Sequence, residues 1–255
     1  MLLLSKSYAF CYDTSLTSLS IPNVTSIGSY AFMATSITSV TIPNSCSSLG
    51  RYAFALCSKL SSISIGSGIT TLEDYVFGGT APSSVVIPNG ITSIGKGAFM
   101  DNPNLTSVSI PHTVTSIGDN AFAWCTNLSS ATIPGSVTTI GKEAFMECAL
   151  TTAIIPNGVT TIAESAFAGC RSLTSVTIGN GVNSIGLRAF ADCDSLSSIV
   201  SWATFPPQIN RYMFPSANNC RLTVPCGSLG AYTASTWNEL FNGRIEEGSS
   251  YRSLS

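Results

Sequence analysis

Nine cysteines give this sequence its clearest candidates for chemistry. Thiols bind metals and form disulfides, so their spacing decides what they can do. Four of them recur at intervals of 22–23 residues, each three residues after a phenylalanine, and a fifth has the same offset: Cys125, Cys148, Cys170, Cys193 and Cys57. Zinc needs four ligands that converge as a tetrahedron, whereas stacked repeats would put these thiols in a line. We therefore predict buried, reduced thiols and no metal site; a disulfide between neighbouring repeats is the alternative.

Catalytic groups are sparse. His112 is the only histidine and directly follows Pro111, where we expect a solvent-facing turn. The sequence has no Ser-His-Asp grouping, no paired-carboxylate motif and no glycine-rich loop of the kind that cradles a phosphate. We predict a protein without catalytic residues and without a cofactor.

Tyrosines form a further set that recurs with the repeat. They precede a phenylalanine by two residues in four consecutive repeats: Tyr8, Tyr30, Tyr52 and Tyr75. Tyrosine is enriched in protein interfaces. The set therefore predicts either an aromatic strip for a protein or glycan partner, or packing at the edge of the core.

Hydroxyl side chains form a second set. They alternate with apolar residues in short segments that read as strands, and we take as representative Ser107, Ser109, Ser130, Thr132, Ser175 and Thr177. Alternation places them on the outward face of a strand. There they either keep an exposed sheet soluble or bind an extended protein or glycan through many weak contacts.

Composition excludes several classes of partner. The net charge is −2 and 9% of the residues are charged, against roughly 25% in typical globular chains. Without a basic excess there is no electrostatic case for nucleic acid or an anionic membrane surface. No apolar run approaches the roughly 18 residues that a membrane-spanning helix needs, and no signal peptide is recognisable.

Phenylalanines mark a repeat that runs through most of the 255 residues. Successive members are 22–24 residues apart: Phe10, Phe32, Phe54, Phe77, Phe99, Phe122, Phe145, Phe167, Phe190 and Phe214. After each comes a Leu-x-x-apolar-x-apolar pattern typical of a half-buried strand, usually ended by proline or glycine. A second short strand follows, and the next Ala-Phe pair fits one helical turn. One repeat is too small to bury its own apolar face, so the copies must stack as coils of a solenoid.

The pattern F-x-x-C-x-x-L-x-x-h-x-I-P-x-x-V-x-x-I-G-x-x-A-F, in which h is apolar, resembles the BspA-like leucine-rich repeats over about residues 8–200. The resemblance implies a right-handed leucine-rich-repeat solenoid with short parallel β-strands, a second short strand and a helical turn per coil. It also implies an extracellular or cell-surface protein of a bacterium or protist that binds a protein or glycan and has no shared catalytic residues. A passive structural spacer in a larger surface or virion assembly is the alternative.

The expected domain organisation follows from where this repeat weakens. We predict a solenoid of about nine coils over residues 1–200, with an irregularity in the fourth coil at Thr80-Ala81-Pro82. Residues 201–245 should form a degenerate last coil and a cap with one helix near 228–241, with Ser228 as its N-cap. Residues 246–255 should be a disordered tail. No cap precedes Tyr8, which leaves open end-to-end self-association at the N-terminal end.

Overall fold

The chain winds into a parallel β-solenoid of about nine turns of about 23 residues. The computed structural model describes residues 6–209, 212–214 and 219–248. Every strand pair in these residues is parallel, and equivalent repeat positions face each other, as Val108 faces Ala131. The predicted solenoid class is confirmed.

The first strand of each coil builds one ladder. Its members are β2 (Ser39–Thr41), β4 (Ser62–Ser64), β6 (Ser84–Val86), β8 (Ser107–Ser109), β10 (Ser130–Thr132), β12 (Thr152–Ile155), β14 (Ser175–Ile178) and β16 (Ser198–Ser201). Two further strands, β17 (Arg221–Val224) and β18 (Ile245–Glu247), continue the ladder beyond β16. In strands such as β8 the apolar side chain points inward and the hydroxyls outward, as the alternation predicted, whereas Val86 and Ile154 are exposed at outward positions.

The second strand of each coil builds another ladder of two-residue strands. These are β1 (Ser26–Ile27), β3 (Ser48–Leu49), β5 (Thr71–Leu72), β7 (Ser93–Ile94), β9 (Ser116–Ile117), β11 (Thr139–Ile140), β13 (Thr161–Ile162) and β15 (Ser184–Ile185). Six of them, β5 to β15, form one continuous sheet.

The first ladder is interrupted twice, and the sequence explains where. The chain divides it into β2–β4, β6–β8–β10 and β12–β14–β16–β17–β18. In most coils the leucine position of the repeat lies six residues after the phenylalanine. In the first coil of each segment this link is one residue shorter, and the leucine position, five residues after the phenylalanine, holds Ile37, Pro82 or Leu150. Both breaks in the ladder therefore fall at a coil with the shorter link. The irregularity predicted at Thr80-Ala81-Pro82 therefore coincides with the break between β4 and β6.

The core is a column of stacked phenylalanine rings. From Phe10 to Phe214, successive ring centroids are 5.1–5.7 Å apart and the rings are nearly parallel. The rings from Phe32 to Phe167 are fully buried. Each coil therefore shields the apolar side of its neighbour, which is how repeats that are unstable alone become stable together.

The Ala-Phe segment is a series of tight turns, so the helical turn that we predicted is wrong in detail. Tyr30 and Ala34, two residues before and after Phe32, have φ of 60° and 58°, outside the α-helical region. Alternate backbone N–H groups point out of the coil and donate to carbonyls of the next coil; the Phe32 N–H, for example, donates to the Ala53 carbonyl at 2.8 Å. A helix would have used those donors internally. The exposed surface along these turns, from two residues before to two after each phenylalanine, is called the turn face below.

The C-terminal end is closed by two short helices, α1 (Leu229–Thr233) and α2 (Thr236–Phe241). One helix was expected, but Ser235 between them is extended, and its hydroxyl accepts the Trp237 N–H at the start of α2. Ser228 occupies the predicted N-cap position, at the start of α1, but its side chain makes no cap hydrogen bond.

Part of the predicted tail is also ordered as a strand. Glu246 and Glu247 belong to β18, because Glu247 accepts the Gly227 and Leu229 N–H groups and the strand pairs with β17. Residues 249–255 lie outside the described residues.

Candidate functional site

Four tyrosines of the turn face form one continuous stack. The ring centroids of Tyr8, Tyr30, Tyr52 and Tyr75 are 4.6, 4.8 and 4.7 Å apart in turn, with the planes within 12° of each other. We call this stack the tyrosine ladder. It ends at Gly97, whose missing side chain leaves room for the Tyr75 ring, only 2.3 Å from where a Cβ would lie. Burial, with smaller contributions from Tyr75 and Tyr30, raises the pKa of Tyr52.

Stacking decides which part of each ring a partner can reach. The ring faces of Tyr30 and Tyr52 are covered by their neighbours on both sides, and these side chains are half-buried. Their outward edges and hydroxyls are what remains. Tyr8, at the start of the ladder, is 60% exposed and has one free face among the described residues.

Next to the ladder lies a cavity of about 230 Å³, the apolar cavity. It spans four coils, because the residue after each phenylalanine contributes to it: Met33, Ala55, Gly78 and Met100. Tyr52 and Tyr75 line it from the ladder, and Leu56, Gly79 and Asp101 from two residues after the phenylalanine. Ala55 and Gly78 leave the space that a methionine fills in the coils before and after them.

A second cavity of about 340 Å³, the polar cavity, adjoins the first. The two share Leu56, Gly79 and Asp101, and the second is also lined by polar residues that include Ser58 and Asn104. Asp101 is exposed and, among the described residues, makes no ion pair. Around these two cavities the turn face thus combines aromatic edges, an apolar depression and the carboxylate of Asp101.

The predicted strand hydroxyls lie where the alternation put them. Ser107, Ser109, Ser130 and Thr132 are exposed on the first ladder, and Ser175 and Thr177 are partly covered. In the described part of the chain, none of these six side chains donates or accepts a hydrogen bond. These hydroxyls lie at equivalent positions of paired strands along the first ladder. A binding role for them stays a prediction.

The recurring cysteines lie inside the turns. Cys125, Cys148, Cys170 and Cys193 are free and buried, and each thiol donates to the phenylalanine carbonyl of the preceding coil at 3.1–3.3 Å. Burial raises the pKa of Cys125 and of Cys170 to about 12. A thiol that stays protonated is a poor nucleophile and a poor metal ligand. These cysteines therefore satisfy backbone acceptors, as the prediction of buried thiols requires.

The raised thiol pKa predicts how stability changes with pH. The unfolded Cys125 thiol ionises above its ordinary value of 9.0, whereas the folded thiol keeps its proton to about pH 12. Unfolding therefore releases a proton in this window, and stability falls by about 1.4 kcal/mol per pH unit for each such thiol. In urea titrations with a reductant between pH 8 and 11, Cys125→Ala should show a shallower alkaline decline than the wild type. Cys226→Ala, which removes an exposed thiol, is the control; equal declines for wild type and Cys125→Ala would contradict the burial argument.

In two coils another polar side chain replaces this cysteine and donates a hydrogen bond to a phenylalanine carbonyl. Thr80 donates its hydroxyl to the Phe77 carbonyl at 2.8 Å, and the Asn102 amide donates to the same oxygen at 3.1 Å. The Asn102 side-chain oxygen accepts the Thr80 N–H at 2.6 Å. The missing cysteine of the fourth coil is therefore compensated by a buried polar pair.

Asn102→Leu should lower the free energy of unfolding by about 2 kcal/mol, because the buried Thr80 N–H would lose its acceptor. Chemical denaturation measures the loss. Asn127→Leu, at an exposed asparagine, should change stability by no more than about 0.5 kcal/mol. Equal losses in the two variants would show that the buried pair of Thr80 and Asn102 contributes no more to stability than an exposed asparagine does.

The remaining candidates for chemistry lie apart from these surfaces. His112 is exposed in a turn. Within residues 6–209, 212–214 and 219–248, no group of histidine, cysteine and carboxylate side chains could hold a metal ion. No helix of that part of the chain is long and apolar enough to cross a membrane.

Comparison with known families matches the BspA type leucine rich repeat region, in six copies, over residues 6–106 and 92–221. The match covers most of the solenoid, including every coil of the turn face described above. The chain belongs to the BspA-type leucine-rich repeat family. The resemblance read from the repeat pattern is confirmed.

Solved structures of other bacterial proteins are similar to this chain. A leucine rich cell surface protein from Faecalibacterium prausnitzii A2-165 is 28% identical, with a TM-score of 0.54, over 89% of this chain and 70% of that protein. The pneumococcal vaccine antigen PcpA is 17% identical, with a TM-score of 0.54, over 90% of this chain and 72% of that protein, and shows the fold alone. A search of curated proteins finds no match.

Sequence reasoning identified the tyrosines but missed the apolar cavity of this BspA-type repeat. Its floor depends on Ala55 and Gly78, which are unremarkable in a linear sequence. A usable signal was present, because the position after the phenylalanine holds Met33 and Met100 on either side of these small residues. Reading that repeat position down the stack would have indicated a gap.

Proposed function

We propose that this chain is a non-catalytic recognition module, displayed at a cell surface or secreted, that binds a protein through its turn face. The observation that carries the proposal is the juxtaposition of the tyrosine ladder with the apolar cavity, which Tyr52 and Tyr75 also line. Aromatic edges beside an apolar depression are typical of protein interfaces. The description of the Faecalibacterium relative as a cell surface protein supports the proposed location.

The ladder favours a protein over a glycan. Sugars pack their apolar faces against the flat faces of aromatic rings, as other ligands do in stacking. Among the described residues, those faces are occupied by neighbouring tyrosines except for the outer faces of the two end rings, Tyr8 and Tyr75, and the Tyr75 ring lies against Gly97. Ring edges and hydroxyls instead suit the mixed polar and apolar contacts of a protein surface.

The test compares surface plasmon resonance binding of fibronectin, laminin, fibrinogen and collagen, together with a glycan array, across two variants. Tyr30→Asn/Tyr52→Asn/Tyr75→Asn keeps the backbone, since Asn120 occupies the same repeat position with φ of 55°. Loss of two or three interface tyrosines should weaken binding by about tenfold or more. The control variant, Ser109→Lys/Thr132→Lys, alters the strand face and should bind as the wild type does.

Other outcomes would overturn the proposal. If only the strand-face variant loses binding, the hydroxyl array is the recognition surface. If the wild type binds only glycans, the argument from covered ring faces is wrong. If it binds nothing on either panel, the chain is better described as a passive spacer.

Self-association at the N-terminal end stays a prediction beside this proposal. The side chains of Phe10, Leu16 and Leu19 in the first coil are only partly buried. Sedimentation of Leu16→Lys against the wild type would test it: a dimer lost in the variant supports association through this end, and a monomeric wild type excludes it.

A further inference from the structure

The apolar cavity is the right size for one side chain. Its volume of about 230 Å³ lies below the range of about 300–1,000 Å³ that pockets for drug-sized ligands occupy. Met33 and Met100 belong to the coils at its two ends, and Ala55 and Gly78 to the coils between them. Such a depression suits a single aromatic or long aliphatic group.

The charge of the residues that line the two cavities indicates which kind of peptide segment could place such a side chain there. Among the described residues, Asp101 is the only charged one that lines either cavity. The nearby Asp74 is already paired with Arg51 at 2.8 Å, whereas Asp101 has no ionic partner among the described residues. The shared edge of the two cavities therefore carries an uncompensated negative charge.

Asp101 also lies at the border between the two cavities. It lines the apolar one together with Leu56 and Gly79, and the same three residues line the polar one. A chain that puts an apolar side chain into the first cavity would bring its next residue over this border, within reach of the carboxylate and of the polar lining around Asn104.

We infer that the turn face binds a peptide segment of a protein partner in which an aromatic or long aliphatic residue is followed by lysine or arginine. The apolar side chain fills the apolar cavity, and the cation pairs with Asp101 from the polar cavity. This inference rests on the proposed function of the turn face and names the chemistry of its partner. A contact of this size binds weakly by itself, so the full partner must add contacts along the tyrosine ladder.

The probes are two dipeptides, N-acetyl-phenylalanyl-lysinamide and N-acetyl-phenylalanyl-glutamamide with a free γ-carboxylate. The reporters are the methionine methyl resonances of Met33 and Met100 in NMR titrations at low salt. Both methyls should shift with the lysine dipeptide, which should bind about fivefold more tightly than the glutamate dipeptide, the limit for one exposed ion pair. Raising the salt concentration should reduce that preference.

Two variants separate the cavity from the charge. Ala55→Met puts into the floor the residue that Met33 and Met100 provide in other coils, and should abolish both methyl shifts. Ala168→Met makes the same change at the same repeat position, outside the cavity, and should bind as the wild type. Asp101→Asn should keep the binding of the phenylalanine but lose the preference for lysine; since Asp101 is exposed and asparagine tolerates its φ of 56°, this variant should fold normally.

Two results would overturn the inference. One is equal affinity for both dipeptides; the other is full binding by a folded Ala55→Met. If Ala55→Met also captures the matrix proteins unchanged while the tyrosine triple variant does not, turn-face recognition stands and only the proposed peptide chemistry fails. If the tyrosine variant captures them like the wild type, the proposed function fails whatever the dipeptides do.

Discussion

Phe122→Ala is expected to lower the free energy of unfolding by about 3–5 kcal/mol, because it opens a cavity in the middle of the core. The Phe122 ring is fully buried and stacks on Phe99 at 5.5 Å and on Phe145 at 5.3 Å. Both coil interfaces lose contacts at once, since in a repeat protein each coil is stabilised by its two neighbours. In a thermal scan the loss corresponds to a decrease in Tm of about 10 °C for a chain of this length.

Phe10→Ala is the matched control for that experiment. Phe10 is only partly buried and stacks on one described ring, Phe32. Phe10→Ala should lower the free energy of unfolding by less than half as much as Phe122→Ala, because only one interface between coils is affected. Similar losses at Phe10 and Phe122 would mean that the ring column is not cooperative along the solenoid.

Trp237→Ala, like Phe122→Ala, is expected to lower the free energy of unfolding by about 3–5 kcal/mol, because it removes the largest buried side chain of the C-terminal end. The Trp237 ring contacts Phe214, Tyr232 and Phe241, with centroids 5.6–6.2 Å away. Its indole N–H donates to the Pro207 carbonyl at 2.8 Å. Since Phe214 is the last ring of the core column, this change also uncovers the end of the stack.

The uncovered end gives Trp237→Ala a second expected effect. Terminal coils need a cap with a polar outer surface to remain soluble, so the variant should self-associate in sedimentation experiments. Trp124→Ala removes a tryptophan that is 42% exposed on the turn face and should change stability by no more than about 0.5 kcal/mol. If both tryptophan variants are monomeric and equally stable, the C-terminal helices do not act as a cap.

The two ends of the solenoid differ in how their backbone groups are satisfied. At the C-terminal end, the Phe190 N–H donates to the Met213 carbonyl, and β17 and β18 extend the strand ladder. At the N-terminal end, the Tyr8 and Phe10 N–H groups donate inward to the second coil, at Ser29 and Ala31. Among the described residues, the backbone donors of the first coil are therefore satisfied by the second coil.

Local sequence rules failed where stacking overrode them. A helical turn was expected for the Ala-Phe segment. The structure instead uses positive φ at residues such as Tyr30 and Leu56, at an intrinsic cost of about 1 kcal/mol or more for each side chain. Hydrogen bonds to the next coil, absent from an isolated segment, offset that cost.

The sequence by itself determined the solenoid, its period and its family, because one repeated apolar pattern allows only one way to bury every phenylalanine. It also determined which side chains share a column, since stacking converts equal spacing into adjacency. Only the tertiary structure decided what those columns do. The tyrosine rings cover one another's faces, the thiols donate to carbonyls of neighbouring coils, and small residues in two coils leave a cavity. Each of these outcomes depends on distances between coils, which no single repeat contains.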